Sequence, residues 1–229
     1  MLTLTAAKRL DGRQSASHVV RAQPAAPQAF SDTLDMMGAP MSLGRNQEIY
    51  GDGELADYLY TVVSGAVRTY KVLDDGRRQN TVFYLPSDIF GLEFGDEHES
   101  SAEAVANATI RVFKRSAILA LATRDGEVAR QLWEMTACEL HRAQDHMMLL
   151  IKSAQERVVS FLLEMAIRTS GTNEVELPMS RLDIADYLGL TIEAVSRTLT
   201  QLENGGVITV KTSRHIVLRN RLALNNLSS

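Results

Sequence analysis

A single cysteine, Cys138, stands among 229 residues. One thiol closes no disulfide within a chain and cannot supply a four-cysteine zinc or iron-sulfur site. No apolar run approaches the roughly 18 to 20 residues of a membrane span, and the N-terminus lacks a signal-type apolar core of about 7 to 15. The expected location is therefore the cytoplasm, with no membrane partner. An excess of positive charge is missing too: 24 Lys and Arg face 28 Asp and Glu, a formal net charge of -4. From Gly171 onward Arg181, Arg197, Lys211, Arg214, Arg219 and Arg221 are matched by Glu174, Glu176, Asp183, Asp186, Glu193 and Glu203. Any positive surface must come from geometry, not bulk charge.

Catalytic signatures are equally scarce. His18, His98, His141, His146 and His215 show no metal-ligand spacing, and there is neither a G-x-S-x-G elbow nor a phosphate-cradling glycine loop. The sequence predicts no catalytic residues, no metal site, no bound cofactor and no enzyme. What is present is ordinary soluble-protein composition, 45% hydrophobic and 23% charged, over a length that accommodates two modest cores.

The best-defined stretch is Ser180 to Glu203. Ser180 with Asp183 opens a capping box, Ile184, Ala185 and Leu188 follow at helical spacing, and Gly189 supplies a corner. Thr191 caps a second helix whose buried stripe is Ala194, Val195, Thr198, Leu199 and Leu202. That leaves Glu193, Ser196 and Arg197 together on the opposite face at i, i+3 and i+4. After Asn204, Gly205 and Gly206 come two short runs, Val207 to Lys211 and His215 to Arg219, turning at Thr212 and Ser213. Two helices around a glycine corner followed by a hairpin read as a winged helix-turn-helix, so the expected partner is double-stranded DNA. Glu193, Ser196 and Arg197 are the candidate base readers: Arg grips guanine O6 and N7, Glu accepts from cytosine N4, and Ser serves either a base or a phosphate. Ser180, Arg181, Thr191, Lys211 and Arg214 are candidate contacts to the DNA backbone. The bland alternative is an intrahelical Glu193–Arg197 pair on a solvated face, about 0.3 to 0.5 kcal/mol.

Upstream the texture changes. Residues 1–27 read as a flexible arm and Phe30 to Gly38 as a short helix. Within 28–126, strands are expected at Gln47 to Tyr50, Tyr58 to Ser64, Ala66 to Leu73, Arg78 to Leu85, Ser101 to Ala106 and Thr109 to Lys114, forming a small roll. Helical texture returns at Ser116. A long helix over 127–152 carries Trp133, Ala137, Leu140, Gln144, Met147 and Ile151 at spacings of 4, 3, 4, 3 and 4, a coiled-coil seam for a homodimer. Leu132, Ala143 and Leu150 are the expected edge toward the roll. Ser153 and Glu156 form a second capping box, which breaks the helix at an interdomain hinge and leaves 153–229 as the DNA-binding part. The fold class is therefore α+β.

This order of parts resembles the CRP/FNR family of bacterial transcription regulators over about Tyr50 to Arg219. The motifs that carry the resemblance are TVVSGAVRTY (Thr61 to Tyr70), LPSDIFGLE (Leu85 to Glu93), QDHMMLLIKSAQER (Gln144 to Arg157) and DIADYLGLTIEAVSR (Asp183 to Arg197). It implies a cyclic-nucleotide-binding-like β-roll and half-sites of the TTGA type with their mirror image. Where cAMP-binding members carry Gly-Glu and Arg-Ser pairs, this chain has Leu92 after Gly91, and Ser100 with Ser101. No cAMP is expected. Without N-terminal cysteines no iron-sulfur cluster is expected either, and the FixK type remains, implying activation of microaerobic, nitrogen-fixation or denitrification genes. The resemblance also implies contact with RNA polymerase, through loops at Gly51 to Asp57 and Thr169 to Glu176. The competing expectation is a haem- or small-ligand-gated regulator of the same family, with His98 or Tyr84 as a ligand in the roll.

Overall fold

The computed structural model describes residues 38–169 and 172–228. The expected arm and nearly all of the expected helix from Phe30 lie outside them. Strands β1 (Ala39–Leu43), β2 (Glu48–Tyr50), β3 (Tyr58–Ser64), β4 (Val67–Val72), β5 (Arg78–Tyr84), β6 (Ile89–Phe90), β7 (Ser101–Ala104) and β8 (Ala108–Lys114) build the roll. They form two antiparallel sheets, ordered β1-β8-β3-β6 and β2-β7-β4-β5. Alternation along β3 lets one strand serve two cores: Tyr60 and Val62 point into the roll, while Leu59 joins Phe113, Ile118 and Val128 beneath the helices. At Gly65 the backbone has φ +79°, and a Cβ would lie 2.2 Å from the carbonyl oxygen of Asn107, so only glycine fits between β3 and β4.

Three strands were not foreseen in the sequence. β1 shows four exposed residues out of five and β6 is two residues long, so neither carries a usable alternation. The third is β9 (Glu174–Glu176), in which a lone buried Val175 is flanked by carboxylates. It falls inside the stretch from Thr169 to Glu176 expected to be a loop, and pairs with the wing.

Helix α1 (Arg115–Ala122) leads into α2 (Gly126–Leu150), and α3 (Ala154–Thr169) follows the break at Ser153. There the Ser153 amide donates to Glu156 at 2.8 Å and the Glu156 amide to the Ser153 hydroxyl at 3.4 Å, the capping box expected. The packed face of α2 matches the one expected in part: Leu132 packs against the cluster of Leu59, Phe113, Ile118 and Val128. Leu132 and Leu150 are half-buried and Ala143 is exposed, whereas Val128, Gln131 and Leu149 are buried. Between them Glu139 and Arg142 turn to the roll, where Glu139 meets the Tyr84 hydroxyl and Arg142 meets Asp88. Polar residues thus occupy packed positions, and an apolar pattern passes over them.

Asp88 at the roll's corner also accepts from Arg168 of α3 at 2.6 Å. Phe83 of β5 lies against Phe161 of α3 and Tyr187 of the reading unit, with centroids 6.3 and 5.1 Å away. Such pairs each contribute about 0.5 to 1.5 kcal/mol beyond their buried area. Ala66, Phe83, Leu85 and Val105 of the roll belong to one apolar cluster with the buried residues of the C-terminal helices.

Candidate nucleic-acid interface

Helix α4 (Arg181–Leu188) begins at Ser180 with both halves of its capping box made. The Asp183 amide donates to the Ser180 hydroxyl at 3.2 Å, and the Ser180 amide and hydroxyl both donate to Asp183 Oδ2 at 2.7 Å. The hydroxyl of Ser180 thus both accepts and donates within the cap. Gly189 closes the helix at φ 59°, ψ 41°, the left-handed conformation expected of the corner. Arg157 braces that corner, donating to the carbonyls of Leu188 at 2.9 Å, Gly189 at 3.4 Å and, from Nε, Lys152 at 2.8 Å.

Helix α5 (Ile192–Asn204) starts at Thr191, whose hydroxyl accepts from the Ala194 amide at 3.2 Å. Val195, Thr198, Leu199 and Leu202 are buried and Ala194 half-buried, so the expected stripe faces inward. Glu193 and Arg197 are exposed and Ser196 half-buried on the other side. Glu193 titrates below the usual carboxylate range, held by its own backbone amide and the Thr191 hydroxyl, with a smaller pull from Arg197. Arg181 reaches across from α4 and donates to the Ser196 hydroxyl at 3.3 Å, joining the two helices at the reading face. Ile192, 39% exposed at the start of α5, was not singled out in the sequence. An apolar side chain left in water one turn before Ser196 is the signal that could have marked it, since a thymine methyl takes such a contact in the major groove.

The wing is β10 (Ile208–Val210) and β11 (His215–Leu218), extended by β9 in the order β10-β11-β9. The Thr212 hydroxyl accepts from the amides of Arg214 at 3.2 Å and His215 at 3.0 Å, which shapes the turn. Lys211 is exposed and Arg214 half-buried. Lys211 lies 3.2 Å from Glu174, and His215 lies 3.2 Å from Glu174 and 3.0 Å from Glu176. The hydrogen bond and charge of Lys211 hold the Glu174 carboxyl below its usual range. After the wing, α6 (Arg221–Leu227) seats Leu224 in the core.

The six seam residues, Trp133, Ala137, Leu140, Gln144 and Met147 on α2 and Ile151 just past its end, are all exposed, with Trp133 at 75% and Ile151 at 73%. The roll's interior is filled by rings: Tyr60 and Tyr84 each lie 5.0 Å from Phe90, and Tyr50 lies 5.5 Å from Tyr60. His98 is buried, stacked on Tyr50 at 3.5 Å and 7°, with Nδ1 3.1 Å from Glu93. Burial holds the phenols of Tyr50 and Tyr84 above their ordinary range and pushes Tyr60 up to about 12. Among the described residues no group of three or more His, Cys, Asp or Glu is placed to hold a metal, and no helix is long and apolar enough to cross a membrane.

A roll, a long helix with one bare apolar face and a winged two-helix head define a DNA-binding regulator, and the comparisons agree. Residues 40–125 match the cyclic nucleotide-binding domain and residues 156–227 the Crp-like helix-turn-helix domain. The chain is 51% identical over 199 residues to a nitrogen fixation regulation protein FixK of Azorhizobium caulinodans, covering 84% of this chain and 80% of that protein. It is 40% identical to the FixK of Rhizobium meliloti, over 82% of this chain and 90% of the relative. The solved structure of FixK2 from Bradyrhizobium japonicum superposes with a TM-score of 0.82 at 52% identity, covering 84% of this chain and 98% of that one. The chain belongs to the CRP/FNR family of transcription regulators and is of the FixK type.

Proposed function

We infer that two copies of the chain join along the α2 seam and read a two-fold DNA site of the TTGA and TCAA type. The observation that carries this is the outer face of α5, where Glu193 and Arg197 stand in solvent with Ser196 between them on a head whose other side is buried. Arg197 is assigned to guanine, Glu193 to cytosine N4, Ser196 to a base edge and Ile192 to a thymine methyl. Lys211 and Arg214 of the wing and Arg181 at the start of α4 are assigned to phosphates, with Thr191 at the helix start beside them. Ser180 contributes through the cap that orients α4.

The dimer follows from the seam, because six exposed positions along one face of α2 and just past its end include Trp133, Leu140, Met147 and Ile151, an apolar strip that a soluble protein covers. Its two-fold axis then produces the palindrome. The names of the relatives support activation of nitrogen-fixation genes, with microaerobic or denitrification genes in the same class and RNA polymerase as a further partner in the cytoplasm. The packed rings of the roll and the absence of a cationic residue at Ser100 and Ser101 support action without a cyclic nucleotide.

Selection of bound fragments from a random DNA pool by the purified protein tests this reading. The expected product is a palindrome with TTGA arms whose centres lie about one helical turn apart. Recovery of a single unpaired arm, or of no sequence at all, would overturn it.

A further inference from the structure

Arg68, on β4 of the roll, is 5% exposed, and its guanidinium lies between two carboxylates that are themselves buried, Glu103 of β7 and Asp183 of α4. Nε donates to Glu103 at 2.8 Å, a second nitrogen also meets Glu103, and the third meets Asp183 Oδ1. Arg78, stacked 3.9 Å over the Tyr70 ring, meets the same Glu103 oxygen, Oε1. Arg68 and Arg78 thus face Glu103 and Asp183 where the roll meets the reading head, with Asp186 near enough to feel both cations, and Arg68 and Asp183 stand 115 residues apart in sequence. Asp183 divides its oxygens: Oδ2 caps α4 through Ser180, and Oδ1 takes Arg68.

Two neutral contacts lie beside this pair. Asn80, fully buried, donates to the Asp183 carbonyl at 2.9 Å, and Gln79 donates to the Tyr187 carbonyl at 3.3 Å. Each runs from β5 to a backbone oxygen of α4, so the roll grips the helix along its length. We propose that Arg68 and Asp183 are positioning residues for operator recognition, holding the reading head at one fixed angle to the roll so that the dimer accepts one half-site spacing. This rests on the reading of the chain as a dimeric reader of two-fold DNA.

The physical case is one of direction, not strength. A buried ion pair returns little net stability, because desolvating both charges offsets most of their attraction. A forked guanidinium nevertheless permits few relative orientations of the groups it joins. No ligand is needed for that restraint, since every partner belongs to the chain. A head released from it would still read bases through α5, but would follow the duplex to other spacings.

The test compares binding of the full-length dimer to the palindrome and to the same palindrome lengthened by one base pair. For Arg68→Met the affinity ratio between the two sites is expected to fall about fivefold or more, while discrimination at the guanine assigned to Arg197 and the dimer mass stay unchanged. Arg68→Met with Asp183→Asn removes the uncompensated charge on Asp183. If the pair were merely structural, that double variant would recover the original spacing ratio; the proposal expects it to stay low. A wild-type ratio in the double variant overturns the proposal and leaves the DNA reading intact, whereas a wild-type protein that binds neither palindrome takes both down. Should Arg68→Met fail to fold, Arg68→Lys and Gln79→Ala keep the question open to measurement. Each is expected to lower the same ratio by a smaller factor, and an unchanged ratio in both refutes the assignment.

Discussion

His146 of the long helix lies against Tyr187 of α4, ring centroids 4.2 Å apart, and so joins the packed side of that helix to the reading head. Its Nδ1 is buried without a hydrogen-bond partner among the described residues, and burial pushes its pKa down to about 4. The unfolded chain therefore takes up a proton first as pH falls. Stability present above about pH 6.5 is lost progressively toward pH 4, by about 2 kcal/mol once partial exposure is allowed for. Urea midpoints from pH 4 to 7 check this: His146→Phe should flatten the slope in that window, and an unaltered slope would show that another group titrates there.

Arg197 and the wing cations should separate by kind of effect. Arg197→Ala is expected to cost about 1 to 3 kcal/mol per half-site and to relax preference at one base pair, with random DNA bound as before. Lys211→Ala or Arg214→Ala should weaken specific and random DNA alike, lowering the salt slope by about one for each phosphate that a subunit no longer neutralises. Titrations of TTGA and TTAA half-sites at several salt concentrations distinguish them. If Arg197→Ala retains the TTGA preference, the base assignment fails.

A charge on the bare face of α2 should divide the dimer. Met147→Asp or Ile151→Asp places a carboxylate at positions 61% and 73% exposed in the single chain, where folding of one protomer tolerates it and pairing does not. Sedimentation should give a monomer with near-normal thermal stability and much weakened operator binding. A dimer of unchanged mass would move the interface elsewhere.

Two substitutions probe the frame of the head. Ser180→Ala removes the cap acceptor and should cost about 1 kcal/mol of stability. Gly189→Ala puts a Cβ on a left-handed residue, at about 1 to 2 kcal/mol, with no clash because its neighbours Arg157 and Leu150 stand 3.5 Å off. Denaturation curves measure both, and a neutral Gly189→Ala would mean that the corner relaxes out of its left-handed turn.

The head was legible because its signals are local. Ser180 with Asp183, Gly189, and Thr191 with Ala194 all lie within a few residues of one another, and each capping bond is present. The period along the long helix was legible too, and all six residues proposed for the seam are bare in the single chain. The packed side of α2 was obscured because Glu139, Arg142 and His146 fill positions where an apolar pattern is sought. The second role of Asp183 could not be read at all, since its partner Arg68 comes from another part of the chain and both resemble ordinary surface charges. The burial of His98 was hidden for a similar reason: in the sequence it stands among glutamates, and only the fold lays Tyr50 over its ring.

Glu174 has a consequence for how the protein searches a chromosome. It sits on β9 within reach of both Lys211 and His215, so the wing carries its own competitor for phosphate, tethered at high local concentration. A passing stretch of unrelated DNA must displace that carboxylate and offers only backbone in return. At an operator, the base contacts proposed for α5 would add to that backbone and outweigh the exchange. The exchange weakens both kinds of binding by the same factor: it shortens idle residence on the roughly million or more unrelated sites of a genome and leaves the ratio between operator and other DNA unchanged.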